Sequence, residues 1–291
     1  MAMMWDPSTL GSDNENLFWT AQEWANGGPD QETEFVGLQD PLPFFAGSSI
    51  PIGVSDGGIG ESDCGNTPLT CGMTFSAPAG AQFGDVLVAV MWAGESDSTG
   101  AVFNLPPGWT LLPLANLSNQ GYLISKGAGF YLTSFIAAYV YGSQPNDSGQ
   151  YTLSITRHNK YAEVAGILAD YRGADTNFAS YSALGYAGTK EGDTTSTLSV
   201  TPSAADQTLM TLFSDACADS DNENTESIWS FTAPSGVPSE TAETLLSSSS
   251  PAGGVPFLIS DTPVTTSGTY GPYSTVGRKG INFAYNLLIP E

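Results

Sequence analysis

The sequence predicts an all-β fold: an antiparallel, jelly-roll-like β-sandwich built from two related strand units and preceded by an extended N-terminal arm. Three observations lead there. Charged residues occupy only 13% of the 291 positions, while Gly, Ser, Thr, Asn and Pro abound, a composition of hydroxyl-rich strands and turns rather than of helical surfaces. The run Gly84 to Gly94 (GDVLVAVMWAG) is uninterruptedly apolar from Val86 to Trp92. It is too short and too β-branched for a helix and fits a strand covered on both faces in the middle of a sheet. The third observation is an echo of it at Gln207 to Asp215 (QTLMTLFSD).

Each of these apolar runs is followed by a proline-glycine turn, Leu105 to Thr110 (LPPGWT) after the first and Ala233 to Val237 (APSGV) after the second. In the first turn proline fixes the approach and glycine permits the reversal, so that Trp109 can cover an open end of the sandwich. In the second Val237 stands in place of the tryptophan.

Thirty acidic residues against seven basic ones leave a net charge of -23, which repels nucleic acid and anionic membrane and makes neither an expected partner. No apolar run reaches the length needed to cross a bilayer as a helix. The N-terminal residues (MAMMWDPSTLGSDNE) have neither the basic start nor the apolar core of a secretory signal, so synthesis in a cytoplasm is expected.

Residues 1–60 read as a separate arm, with residues 61–291 forming the sandwich. The arm scatters Trp5, Phe18, Trp19, Trp24, Phe35, Phe44 and Phe45 among acidic and proline-rich turns. These rings either pack back on the sandwich or anchor the chain on another subunit, where aromatics are favoured. A glycine-rich, acidic connector (PIGVSDGGIGESDCG) ends the arm. Cys64 and Cys71 enclose the short loop GNTPLT and either form a bridge in an oxidising setting or remain thiols. Cys217, at the end of an apolar strand, reads as a buried thiol. No metal and no cofactor are expected, because the cysteine spacing supplies no fourth zinc ligand.

Strands follow at Met73–Ala77, Asp85–Trp92, Trp109–Leu114 and Phe130–Tyr141. In the last, Tyr131, Phe135, Tyr139 and Tyr141 share one face by period two, and Leu132, Ile136, Ala138 and Val140 the other. The aromatic face serves either as a second core layer or as a sugar-stacking platform. Gln150–Arg157 (QYTLSITR) alternates like a half-exposed strand, with Tyr151, Leu153 and Ile155 turned one way, and Tyr161–Tyr171 returns as its more buried hairpin partner. The tip between them carries Arg157, His158 and Lys160. No nucleophile or carboxylate is tied to His158 by a catalytic motif, so the tip reads as a polar turn that could grip an acidic neighbour.

After a loose polar stretch, strands resume at Ser196–Thr201, Gln207–Asp215, Ile228–Thr232, Phe257–Asp261 and Ile281–Pro290. Tyr151 and Tyr270 each follow a glycine by two positions and precede a lysine by nine, at Lys160 and Lys279. The halves 70–175 and 195–290 therefore read as copies of one unit, each with a basic tip, Arg157/Lys160 and Arg278/Lys279. The acidic run Asp215 to Glu226 lacks the glycine a calcium loop needs at its sixth position. Asp170, Asp175 and Asp215 have no spacing that would pair them for glycoside hydrolysis.

The succession GDVLVAVMWAG, PPGWTLL, a long strand ending YVYGS, GQYTLSITR and GILADYRGAD resembles a β-sandwich domain of bacteriophage virion surface proteins, among them fibre and capsid-decoration or cement proteins. The resemblance covers about residues 70 to 290. It implies a viral structural protein without enzymatic activity, on the outside of a virion assembled in the host cytoplasm. Such a protein would be anchored by its arm on other virion proteins of capsid, neck or tail, and would be a homo-oligomer, a trimer by preference. The alternatives it leaves are a fibre or collar component and a host-glycan-binding receptor module.

Overall fold

The computed structural model describes residues 42–49, 51–55, 70–95, 102–112, 122–126, 130–156, 162–202, 205–216, 241–247, 254–264 and 268–291, some strand segments by backbone alone. The chain divides between Asp40 and Pro41, and the described residues lie in the unit Pro41–Glu291. The arm residues Trp5, Phe18, Trp19, Trp24 and Phe35 lie outside the described residues, as do Cys64, Arg157 and Lys160.

The architecture is all-β, with antiparallel sheets packed face to face as in a β-sandwich. Numbered in chain order, the first sheet runs β1 (Phe44–Ser49), β10 (Ala162–Arg172), β4 (Val86–Glu95), β8 (Phe130–Val140) and β6 (Thr110–Leu111), with β7 (Tyr122–Lys126) also on β8. The second runs β11 (Ser182–Ser196), β15 (Ser274–Pro290), β12 (Gln207–Ala216), β14 (Gly254–Val264) and β13 (Thr241–Ser247). The third runs β2 (Pro51–Ser55), β3 (Thr70–Ser76), β9 (Gln150–Thr156) and β5 (Val102–Asn104).

The first sheet is the middle layer of three. Because successive side chains of a strand point to opposite faces, β4 sends Val86, Val88, Val90 and Trp92 into one core and Leu87, Ala89 and Met91 into another. The first core is closed from the second sheet by Met210, Leu212, Phe257, Ile259, Tyr285, Leu287 and Ile289. The other is closed from the third sheet by Met73, Phe75, Tyr151, Leu153 and Ile155. A buried hydrogen bond between Ser134 and Tyr285 joins β8 to β15 across the first core. Tyr171 donates to Asp261 at 2.7 Å in the same way from β10 to β14.

The outer face of the second sheet is covered too. Residues 197–200 and 270–273 form a strap, paired through Val200 and Tyr270, and it shields Leu209, Val264 and Leu288. Under it Thr211 donates to Asn286 at 3.0 Å, whose amide donates to the Leu198 carbonyl at 2.7 Å.

Several sequence expectations change here. β9 and β10 do not form a hairpin: β9 pairs with β3 and β5, and β10 with β1 and β4. The Arg157–Lys160 link therefore joins two stacked sheets, and the difference in burial between its flanking strands reflects their different layers. The polar stretch 182–196 is a fifteen-residue strand, β11, at the edge of the second sheet, where a partner on one side suffices. Of the strand expected at Trp109–Leu114, the described residues 109–112 are strand at Thr110–Leu111.

Among the described residues, the strands up to Arg172 fall in two sheets and those from Ser182 onward in one. Tyr151 lies in β9 and Tyr270 in the strap. Arg278 and Lys279 do not tip a hairpin. They lie within β15 where Gly192 pairs with Gly280 and Thr194 with Val276, so that the extra residues form a bulge. What survives of the echo is that β4 and β12 each occupy the centre of a sheet.

Candidate functional site

Three turns gather over one end of the core between the middle and third sheets: Ala77–Asp85 between β3 and β4, Leu105–Trp109 between β5 and β6, and Tyr141–Gly149 between β8 and β9. In the second, the Trp109 amide donates to the Pro106 carbonyl at 3.3 Å and Gly108 has φ of +86°. This is a type II arrangement, with proline at its first central position and glycine where φ must be positive. The turn lays Trp109 over the core, 8% exposed, stacked on Tyr139 at 5.3 Å and edge-on to Tyr151 at 5.4 Å. Trp109 thus caps the end of the sandwich.

Beneath it, Asp147 gathers four donors. Tyr139 and Tyr151 donate through their hydroxyls at 2.5 Å and 3.0 Å, and the Gly142 and Gly149 amides at 2.8 Å and 3.0 Å. Partial burial acts to raise the Asp147 carboxyl, but the bonds from Tyr139, Gly149, Gly142 and Tyr151 outweigh it and hold the group below the ordinary aspartate range. Burial, with the Asp147 charge adding to it, raises both tyrosines. The carboxylate stays ionised and the phenols stay protonated, and the acceptor positions are occupied. This chemistry fastens a loop and is poorly suited to moving a proton.

The first turn presents an aromatic ring to solvent. Asp85 donates its amide to the Gln82 carbonyl at 2.9 Å and Gly84 has φ of +99°, which places Phe83 at the corner of the turn, 77% exposed. Its ring meets Tyr141 edge-on at 5.1 Å. It also lies over Gly142, where an added Cβ would stand 2.6 Å from it. A large apolar group held at a rigid corner of an acidic protein is suited to anchoring a protein contact.

A charged clamp secures the same turn. Arg172 donates to both oxygens of Asp85, at 3.3 Å and 3.2 Å, and to the Gly80 carbonyl at 2.8 Å, with its guanidinium 5.8 Å from the centre of the Phe44 ring. Asp85 also accepts from the Gln82 amide at 2.7 Å.

Of the residues assigned to the arm, Phe44 and Phe45 therefore belong to β1, an edge strand of the middle sheet. Phe44 flanks Arg172, and Phe45 packs edge-on against Tyr171 at 6.0 Å beside the first core. The rings of the β8 aromatic face described here are interior, Phe135 and Tyr139 both inside the second core with Tyr141 at its margin. Cys71 lies in β3 opposite Ile155, but its side chain, like those of Arg278 and Lys279, is outside the described residues. Among the described residues no cluster of three metal-ligating side chains occurs.

Sequence reasoning missed Phe83, Asp147 and the Asp85–Arg172 pair. Asp147 sits in PNDSG, a run of turn residues able to bond nearby backbone, and that run was its only signal. No family model matches the chain, and neither the curated proteins nor the solved structures yield a match.

Proposed function

We propose that the chain is a non-enzymatic structural protein of the bacteriophage exterior, a capsid decoration or cement subunit held to the particle through the segment that precedes Pro41. The observation that carries this reading is how the aromatic side chains are used. The described rings of β8, which would have made a sugar-stacking platform, fill the space between two sheets, and Phe83 stands outside on a braced turn. A three-layer body with polar ties across the first core suits a rigid spacer. A net charge of -23 keeps copies apart in solution until a specific contact is made.

The test is localisation in particles of the phage that encodes the chain, by antibody labelling and electron microscopy. Label spread over the shell supports the reading, and label confined to one vertex points to a fibre or collar component. Particles without label overturn it. The accompanying variant lacks residues 1–40. It is expected to keep the cooperative melting transition of the full chain and to lose particle binding.

A further inference from the structure

The middle sheet carries a second carboxyl group that the turn cluster does not use. Asp170 on β10 is fully buried, 0% exposed, and neither of its oxygens has a hydrogen-bond donor. Pairing register explains its neighbours. Asp170 lies opposite Leu87, and the same register puts Arg172 opposite Asp85, so all four point to one face, with Asp170 diagonal to Asp85.

That diagonal makes the two carboxyl groups neighbours on one face of the sheet, close enough for each charge to act on the other. A pair of carboxylates holds acceptors and no donor, which is why Asp170 has no partner while both are ionised. Arg172 offers no remedy, since it is committed to Asp85 and the Gly80 carbonyl.

The remaining surroundings are neutral. β1 sets Gly47 opposite Asp170, and Pro78 of the turn lies 3.5 Å from where a Gly47 Cβ would be. Leu168 precedes it on the same face of β10. From β8, Tyr139 faces Leu87 and donates to Asp147, while the Tyr141 amide, following β8, donates to the Asp85 carbonyl. Among the described residues on this face, Asp85 and Arg172 are the charged groups that act on Asp170.

We propose that Asp170 is held as the neutral acid and donates its proton in a hydrogen bond to Asp85, and that loss of this proton releases the turn Ala77–Asp85 from β10. A single proton supplies the missing donor and removes one of two adjacent buried negative charges. When it leaves to solvent base, two carboxylates face one guanidinium. Arg172 is then drawn toward Asp170 and away from Gly80, and the turn that holds Phe83 loses its fastening. Burial, followed by the Asp85 charge and opposed by Arg172, pushes the Asp170 carboxyl up to about 7. A group raised in the folded state favours that state at low pH, and the contribution is lost as pH rises through the folded value.

Hydrogen exchange on the full chain tests the latch, read at the Gln82 and Asp85 amides and corrected for intrinsic rates. Protection is expected to fall by up to tenfold per pH unit above about pH 7, the limit for release of one proton. In Asp170→Asn the amide donates permanently to Asp85, and protection is expected to stay flat from about pH 6 to 8.5. His158 is retained in the variant, so a pH response that persists in Asp170→Asn overturns the proposal. Should that variant not fold, infrared difference spectra of the unmodified chain decide. A protonated-carboxyl band vanishing with a midpoint of about 7 upholds the latch, and the absence of such a band overturns it.

Discussion

Replacing Asp147 with alanine tests whether the turn cluster is held by one carboxylate. The change orphans two tyrosine hydroxyls and two backbone amides at once. Hydrogen bonds to a charged group contribute about 1.5–3 kcal/mol each when shielded and less where water can substitute. The Gly142 bond is exposed and is discounted, whereas the phenols belong to the largely buried Tyr139 and Tyr151. Taking the lower end for the phenols, and allowing for one acceptor shared by all, gives a loss of about 3 kcal/mol.

For a body of this size that loss corresponds to a melting temperature roughly 6–12 °C lower at neutral pH. The assay is thermal and urea denaturation followed by near-ultraviolet dichroism, which reports the stacking of Trp109 on Tyr139. The effect has a definite pH sign. Because the folded carboxyl is held low, its contribution is complete above the unfolded value near about 4 and disappears as pH falls through the folded value. The difference between the two proteins should therefore narrow in acid. A loss below about 1 kcal/mol at neutral pH, or a difference that does not narrow in acid, would refute the assignment of Asp147 as the organising acceptor.

Gly166→Ala probes how closely β10 approaches the second core. The new Cβ would lie 2.7 Å from Met91 Cγ, 3.0 Å from the Val90 carbonyl and 3.1 Å from Met73 Cε. The methionines can yield and the carbonyl cannot, so a destabilisation of about 1–3 kcal/mol is expected in urea unfolding. Gly142→Ala adds strain of about 1 kcal/mol at a φ of +78°. It also displaces the Phe83 ring from the backbone it covers, and chymotryptic cleavage after Phe83 should accelerate while the core melts almost unchanged.

Where burial follows strand period, the chain could be read directly. The two-faced run of β4, the division of β8 into an aromatic and an aliphatic face, and the alternation of β9 all follow from side chains reversing at every residue. Trp109 was readable as a cap because proline and glycine define its turn. Partner choice was not readable. β9 and β10 are adjacent in sequence and alternate in the manner of a hairpin, yet they join different layers, and nothing in a short link distinguishes turning back from crossing over. β11 was hidden because its Gly, Thr and Ser mimic a loop, and only pairing with β15 makes it a strand.

The candidate site was hidden for a related reason. Asp147 collects donors from 2 to 8 positions away, of which only the turn run PNDSG gave a sign, while Asp85 depends on Arg172, 87 positions away, which no local pattern announces. Asp170 did leave a trace, as the one charge in the apolar run VAGILADY, but its neighbour across the sheet is set by register.

The layered stack also shapes how the protein is made. The middle and third sheets interleave along the chain and are complete once Arg172 has been synthesised, whereas the second sheet comes entirely from Ser182 onward. At ribosomal speed the later residues take on the order of ten seconds to appear. If the middle and third sheets form as they emerge, Val86, Val88, Val90, Ile136, Ala138, Ile167 and Ala169 have no cover in that interval, because the residues that bury them come from the second sheet. A wall of this kind invites aggregation while it is uncovered, and a net charge of -23 favours repulsion between chains that have yet to add β15.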